Sequence, residues 1–249
     1  MLIPVATLLG LLIGSFLNVL VLRLPARESV VAPGSRCPRC KTPLRWYHNV
    51  PLVSWLALRG RCAFCKEPIS WQYPAVEAST AVIWGANVAL LGATPEAARA
   101  ILFVTLLLAI AVTDVRFYII PDELSLGGAG LGIALSLLPG DITIVQSLVG
   151  AVVGGAVLWI VAIVGTWAFK KEAMGGGDIK MLAMIGAFLG WQGALLTIFL
   201  GALAGTIVFV PIAWKSDKLV PFGVFLAVGA ALAYYVGDDL LRWYLGYFA

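Results

Sequence analysis

Charged side chains are scarce in this sequence. Only 12% of its 249 residues are charged, 61% are apolar, and the mean hydropathy is +0.97. A soluble domain carries about 25% charged and about 45–50% apolar residues. The composition therefore excludes an ordinary soluble domain and indicates a membrane protein, for which we expect a lipid bilayer as a partner and no nucleic acid.

Histidine and cysteine are also scarce. His48 is the only histidine, and all four cysteines lie between residues 37 and 65. No part of the chain has low complexity, and we find no internal repeat. A single histidine does not favour catalysis by a histidine base, so the carboxylates are the residues to consider first.

Long apolar runs, by contrast, are abundant. A membrane-spanning helix needs ~17–25 predominantly apolar residues. About eight segments are candidates, at 1–22, 73–91, 97–113, 124–138, 144–169, 179–190, 193–214 and 220–236. No Lys or Arg precedes the first run and no small-x-small site follows it, so we expect it to remain as a span. The sequence predicts an all-α, polytopic membrane helical bundle.

The basic residues predict the orientation of these spans. If the N-terminus lies outside, the loops 23–72, 114–123, 170–180 and 215–219 face the cytoplasm and hold 15 of the 17 Lys and Arg residues. Cytoplasmic loops carry an excess of such residues. We therefore expect this orientation, in which Asp114, Asp122 and Asp178 lie at the cytoplasmic ends of spans.

The loop 23–72 contains two CxxC pairs, CPRC and CAFC, with 21 residues between them. Two such pairs can supply the four thiolates of a tetrahedral zinc site, formed here by Cys37, Cys40, Cys62 and Cys65. A closed four-thiolate site has no open position for substrate, so its role would be structural. Disulfides or a redox pair are the alternative, which a reducing cytosol disfavours. We do not expect His48 to be a ligand.

Three acids stand at the ends of apolar runs. Asp114 ends a predicted helix, where its charge opposes the helix dipole. Asp122 follows Pro121 and is well placed to cap the next helix. Asp178 opens a helix, so capping is an alternative to a chemical role there as well. The preceding glycines, Gly175, Gly176 and Gly177, allow a neighbouring helix or a peptide to come close, or they merely end a loop.

Two carboxylates at the mouth of a helical bundle suggest aspartyl-protease chemistry. Like charges a few ångströms apart do not both ionise easily, so such a pair shares one proton. The ionised acid can take a proton from water while the protonated acid polarises the scissile carbonyl. This chemistry needs no histidine and no nucleophilic Ser or Cys.

These residues resemble a known family. GGGD before a helix, with an upstream D-x6-P-D, is similar to the type IV prepilin peptidases, which are GxGD-type membrane aspartyl proteases. The resemblance covers almost the whole chain, including residues 14–25, both CxxC pairs, 46–62, 69–77, 113–122 and 175–190. One departure is Gln72, where the family usually has Arg.

The resemblance implies both the site and the substrate. It implies a catalytic dyad of Asp114 and Asp178, with Gly175, Gly176, Gly177 and Asp122 in supporting positions. The implied substrates are type IV prepilins or type II secretion pseudopilins, whose short basic leader is removed after a Gly on the cytoplasmic side. The implied location is the bacterial cytoplasmic (inner) membrane.

Many members also methylate the new N-terminal amine with S-adenosylmethionine, an activity associated with the cytoplasmic loop. Glu77 could help hold that amine, or it could be a solvated carboxylate at a helix start. We expect three parts: a first span at 1–22, a zinc-binding loop at 23–72 associated with methyl transfer, and a peptidase core at 73–249.

Three other functions are alternatives to this interpretation. A peptidase without methyl transfer would keep the dyad alone. A proton-coupled transporter would place its acids near the bilayer midplane and would not need four cysteines. A membrane thiol oxidoreductase would use the CxxC pairs as redox centres. Metal analysis separates the last case, since a structural site holds about one zinc per chain.

Overall fold

The computed structural model describes residues 1–172, 174–213 and 221–247, and these are mainly helical. They form eight α-helices and one 3-10 turn, Trp46–His48. The helices are α1 Leu2–Arg23, α2 Val53–Ala57, α3 Gln72–Leu91, α4 Pro95–Phe117, α5 Asp122–Leu135, α6 Ile144–Phe169, α7 Gly176–Ala213 and α8 Phe222–Gly246. The described residues contain two isolated β-bridges and no strand. The predicted all-α fold is confirmed.

Among the described residues, six helices are long and apolar enough to cross a membrane by length and composition, namely α1, α3, α4, α6, α7 and α8. This count is below the eight predicted spans for two reasons. Helix α5 has 14 residues, which span about 21 Å and fall short of the ~30 Å hydrocarbon core. The predicted segments 179–190 and 193–214 lie in α7 on either side of Gly190, whose backbone is not helical, and they are counted there as one helix.

Gly190 is where α7 changes direction. Its φ of 71° and ψ of 178° are not helical, and glycine adopts such a conformation without the steric cost of a Cβ. The interruption separates a first part of α7, which carries Asp178, from a longer second part. The loop predicted at 215–219 lies outside the described residues.

The chain divides into two compact units, Met1–Ile101 and Leu102–Ala249, with the boundary inside α4. The predicted division at residues 22 and 72 is of another kind, because it follows the loop rather than the packing, and it stays a prediction.

In the first unit, α1 and α3 pack closely in antiparallel directions. A Cβ on Gly10 would lie 2.8 Å from the Ala81 Cα, and one on Gly14 would lie 2.7 Å from the Glu77 Cα. Small residues let two apolar helices approach in this way. Asn18 extends the contact toward the end of α1, since its Nδ2 donates to the Tyr73 carbonyl at 3.1 Å.

In the second unit, α7 packs against α5, α6 and α8. Gly150 of α6 and Gly186 of α7 face each other so closely that neither position accommodates a Cβ. The Ser147 hydroxyl donates to the Ala187 carbonyl at 2.7 Å and ties the same two helices together.

The first part of α7 is the core of this unit. Met181, Leu182, Met184 and Ile185 are completely buried, and Phe188 stacks on Phe103 of α4 with ring centroids 4.7 Å apart. This packing fixes the start of α7 relative to α4, the two elements that carry Asp178 and Asp114.

Candidate functional site

Asp114 lies in the last turn of α4 and is only 6% exposed. The helix ends beyond it because Tyr118 adopts a φ of 55°, and the Tyr118 amide donates to the Asp114 carbonyl at 2.9 Å. The backbone N–H groups of Val224 and Gly223 donate to the Asp114 carboxyl group. Its Oδ2 has no hydrogen-bond partner among the described residues, so one oxygen of a buried acid is available.

Asp178 lies in the first turn of α7 and is half-buried. Its backbone amide donates to the Gly175 carbonyl at 3.2 Å. The carboxyl group is close enough to Asp114 for the two charges to interact. The structure therefore brings together the two acids that the sequence predicted as a pair, and their catalytic role stays a prediction.

Asp122 does not cap α5, so the predicted capping role is wrong. The cap position is occupied by Pro121, whose ring has no side-chain acceptor, and Asp122 is the first helical residue. Its two carboxylate oxygens instead accept from the Lys180 Nζ at 2.7 and 2.9 Å. This ion pair joins the start of α5 to the start of α7 beside the acids.

The three glycines before Asp178 have different surroundings. A Cβ on Gly177 would lie 2.9 Å from the Ile120 Cβ, whereas one on Gly176 would meet nothing within 4 Å. A Cβ on Gly175 would make an ordinary contact with the Asp178 Oδ2 at 3.5 Å. Close approach to the chain's own loop therefore explains Gly177, and the open space lies at Gly176.

Gly223 is a site residue that sequence reasoning missed. A Cβ there would lie 2.8 Å from the Asp114 Oδ2 and 2.9 Å from the Ile120 Cδ1. Only a glycine lets the start of α8 approach Asp114 so closely. The available signal was PFG at 221–223, a proline and a glycine at the start of an apolar helix.

The arrangement can support acid–base chemistry on a peptide bond. One carboxyl group, that of Asp114, is buried and receives two backbone N–H donors. The other stands at an accessible helix start beside Gly176. A pair of acids of this kind offers a proton acceptor and a proton donor in one place.

The four cysteines come together as predicted. The sulfur atoms of Cys37, Cys40, Cys62 and Cys65 all lie within 4.8 Å of one another, and the Cys37 and Cys65 sulfurs are 3.9 Å apart. Tetrahedral zinc–thiolate bonds of about 2.3 Å place the sulfurs about 3.8 Å apart. The cluster fits a metal ion of this type, and none of the four thiols forms a disulfide.

The two CxxC pairs are built alike, which corrects the expectation of no internal repeat. RCPRCKTPL at 36–44 and RCAFCKEPI at 61–69 share the pattern R-C-x-x-C-K-x-P. Each forms an isolated bridge between its Arg and its Pro, at Arg36–Pro43 and Arg61–Pro68. The lysine of each has positive φ, 58° at Lys41 and 61° at Lys66. The repeat is short, and the Arg, Lys and Pro that the two copies share are visible in the sequence itself.

Hydrogen bonds and crowding set the protonation of these thiols. The Thr42 hydroxyl and amide donate to Cys40 and lower the pKa of its thiol to about 6. The Glu67 amide lowers the pKa of Cys65, but burial and the neighbouring sulfurs outweigh it and raise that pKa to about 11. A divalent cation would relieve this crowding, because it binds all four sulfurs as thiolates.

His48 is outside the cluster, as predicted. Its ring lies against Tyr47 and Phe64, with centroids 4.4 and 5.3 Å away. It packs on the loop that carries the cysteines.

Glu77 is not the solvated carboxylate offered as an alternative. It is 7% exposed in α3, and its Oε2 accepts from the Leu52 amide at 2.8 Å. The Ser15 hydroxyl of α1 also donates to it. Glu77 thus connects α3 to α1 and to the residue that precedes α2.

Comparison with protein families divides the chain in two. Residues 8–91 match the bacterial peptidase A24 N-terminal domain, and residues 101–210 match the type IV leader peptidase family. The cysteine cluster and Glu77 fall in the first match, and Asp114 and Asp178 fall in the second.

Curated relatives named prepilin leader peptidase/N-methyltransferase match along most of the chain. The Stutzerimonas stutzeri protein is 38% identical over 96% of this chain and 92% of its own length. The Pseudomonas aeruginosa protein is 39% identical over 96% and 91%, respectively. The Myxococcus xanthus protein is 42% identical over 80% of this chain, which spans 60% of that relative. No solved structure matches.

The two domain matches follow one another along the chain, and the Stutzerimonas stutzeri relative aligns with 96% of it. The chain is a membrane enzyme that belongs to the type IV leader peptidase family.

Proposed function

We propose that this enzyme removes the leader from type IV prepilins or type II secretion pseudopilins and then methylates the new N-terminal amine. The observation that carries the cleavage proposal is the meeting of Asp114 and Asp178 at the ends of α4 and α7, within electrostatic range. The relatives' names support both activities.

Asp114 and Asp178 divide the work of hydrolysis between them. The amides of Val224 and Gly223 hold the Asp114 carboxyl group in place. Asp114 is the acid that takes a proton from water as the water oxygen attacks the scissile carbonyl. Asp178 carries the shared proton and polarises that carbonyl. The proton taken from water then passes to the leaving amine, so both acids return to their starting state.

The substrate backbone approaches beside Gly176. A Cβ at that position would meet nothing within 4 Å, so there is space for a peptide in contact with the start of α7. Asp178 is two residues further on in the same turn. A carbonyl entering this space comes within reach of the protonated acid.

The enzyme lies in the bacterial inner membrane with its N-terminus outside and both acids at the cytoplasmic side. The excess of Lys and Arg in alternate loops supports this orientation. In this orientation the chain crosses the membrane at the short α5 as well, so Glu28 lies inside and Asp141 outside. Single cysteines at these two exposed positions test it with a membrane-impermeant maleimide. Intact spheroplasts should label Asp141→Cys and not Glu28→Cys, and the reverse pattern would invert the orientation.

The four cysteines hold a zinc ion that shapes the loop between α1 and α3. The thiolate donor set and the sulfur separations suit tetrahedral zinc. A loop of this size without a hydrophobic core of its own gains its folding free energy from the metal. The zinc has a structural role, because four protein ligands leave it no open position.

Methyl transfer uses S-adenosylmethionine as the donor. When bound, it supplies an electrophilic methyl group on a sulfonium. The loop and the helices that carry it, α1 and α3, form the part of the chain that matches the N-terminal family domain.

The test is incubation of the purified enzyme with a full-length prepilin in detergent or nanodiscs. Mass spectrometry should find a product that begins after the leader's Gly, and it should find that product methylated when S-adenosylmethionine is present. A cleaved product that is never methylated would make the enzyme a peptidase only. A prepilin that stays intact would refute the cleavage proposal.

A further inference from the structure

A cleft of about 290 Å³ opens between α1 and the loop that follows it. Small-molecule sites occupy ~300–1,000 Å³, so the cleft can enclose most of a small ligand and leave one end accessible. Its walls combine apolar and polar side chains. Its lining residues include Ser15, Val19, Arg23, Gly34 and Pro51.

The outer wall of the cleft is shaped by Arg23. Its guanidinium Nη1 donates to the Ser29 carbonyl at 2.8 Å, and Nη2 donates to the carbonyls of Pro33 and Gly34 at 2.7 and 3.3 Å. These bonds wrap residues 29–34 around the end of α1. The wall is therefore held by the protein's own charge and backbone.

The inner wall is held by Glu77. The Ser15 hydroxyl donates to its carboxyl group, and the Leu52 amide donates to its Oε2 at 2.8 Å. Ser15 lines the cleft, and Leu52 follows the lining residue Pro51. A buried carboxyl group thus stands directly behind one wall, and the Arg23 cation stands at the other.

We propose that this cleft is the binding site for S-adenosylmethionine. The inference rests on the proposed methyl transfer. The donor carries a carboxylate anion, and the Arg23 guanidinium lines the cleft, while the Glu77 carboxyl group lies behind the Ser15 wall. Its apolar walls suit the adenine ring, and its residues fall within the match to the N-terminal family domain at 8–91.

Glu77 acts in this site as a positioning residue. It contacts Ser15 and the Leu52 amide, so its carboxyl group orders the wall. In the transfer itself, the lone pair of the substrate amine forms the new C–N bond. The methyl–sulfur bond breaks with its electron pair on sulfur, and a proton leaves the amine nitrogen to water.

The experiment measures binding of S-adenosylhomocysteine, the stable product, to the full-length purified enzyme by isothermal titration calorimetry. Val19→Phe places a ring in the cleft and should weaken binding at least tenfold. Leu8→Phe is the matched control, because Leu8 is on the same helix, is 61% exposed and does not line the cleft. It should bind as the wild type does.

Zinc content and leader cleavage report whether each variant is folded. Gly34→Leu is a second, independent variant, since a Cβ at Gly34 meets nothing within 4 Å, and it should weaken binding as well. Glu77→Gln, which retains an acceptor for the Leu52 amide, should bind more tightly than Glu77→Ala.

Two results would overturn the proposal in different ways. Wild-type affinity in folded Val19→Phe and Gly34→Leu would place the donor elsewhere and leave the cleft to lipid or to the substrate's apolar segment, with methyl transfer intact. No binding and no methylated product with the wild-type enzyme would refute methyl transfer itself, and the cleft assignment with it.

Discussion

At the scale of the residue, the three acids differ in what surrounds their carboxyl groups. They are Asp114, Asp122 and Asp178. Asp114 is buried and receives backbone amides. Asp178 is half-buried and interacts with Asp114. Asp122 is paired with Lys180 at a position where both side chains are substantially exposed, 39% for the lysine and 56% for the acid. The two acids that face each other are therefore the ones expected to exchange protons.

Asp114→Asn and Asp178→Asn should each lower the rate of prepilin cleavage by at least a hundredfold, because general acid–base catalysis contributes about 10²–10⁴-fold. Both variants should remain inserted and folded, since the amide is isosteric with the acid. A gel-based cleavage rate measured with thermal stability checks this.

Asp122→Asn is the matched control for those variants. An exposed ion pair contributes ~0–1 kcal/mol, and Asn keeps one oxygen for Lys180, so cleavage should stay within a few-fold of the wild type. Full cleavage by Asp178→Asn would rule out the dyad mechanism.

Gly176 and Gly177 separate substrate access from internal packing. Gly177→Val should reduce both the melting temperature and cleavage, because its Cβ would lie 2.9 Å from the Ile120 Cβ. Gly176→Val should leave the free energy of unfolding within about 0.5 kcal/mol and still reduce cleavage, because it fills space proposed for the peptide. Unchanged cleavage in Gly176→Val would mean that the peptide passes elsewhere.

The sequence predicted the identity of the acids better than the roles of their neighbours. Asp114 and Asp178 could be found from local motifs and helix ends. The partner of Asp122 could not, because Lys180 lies 58 positions away in the chain and the capping rule considers only local neighbours. Gly223 was missed for the same reason, since its contact with Asp114 arises only when α8 packs.

At the scale of the element, the start of α8 positions the Asp114 side chain. Gly223→Val should reduce cleavage strongly, because the new side chain would displace either Asp114 or Ile120. Gly246→Val is the control on the same helix, where a Cβ meets nothing within 4 Å, and it should cleave normally. Normal cleavage by a stable Gly223→Val protein would remove α8 from the site.

The two CxxC pairs should be needed for methyl transfer and less so for cleavage. Cys37→Ser together with Cys40→Ser removes half of the ligands, so the protein should lose its zinc and the loop should unfold. Methylation should then disappear while part of the cleavage persists on the packing of α4 to α8. Metal analysis and a cleavage gel check this, and complete loss of cleavage in a stably inserted protein would show that the loop also builds the peptidase site.

The elements of the metal centre were predictable to different degrees. Four cysteines as two CxxC pairs predicted the cluster from spacing alone. The two CxxC pairs also share a backbone conformation, with a positive-φ lysine and a bridge between Arg and Pro in each. The spacing of the cysteines does not specify this conformation.

At the scale of the whole molecule, the apolar pattern predicted the positions of the long helices but not their exact number. The helices fall where the apolar runs indicated, because burial in lipid requires such runs. Fewer long helices are counted than the eight predicted spans, because α5 has only 14 residues and the two segments on either side of Gly190 are counted as one helix.

Cleavage and methyl transfer should take place at separate sites in the whole molecule, one in each part of the chain that matches a family domain. The direct test incubates the Asp178→Asn enzyme and S-adenosylmethionine with each of two substrates. One is an intact prepilin, and the other is a pilin that already lacks its leader. Mass spectrometry should find the prepilin uncleaved and the shortened pilin heavier by about 14 Da, the mass of one added methylene unit. A shortened pilin left unmethylated by folded, zinc-loaded Asp178→Asn, under conditions in which the wild type methylates it, would contradict separate sites.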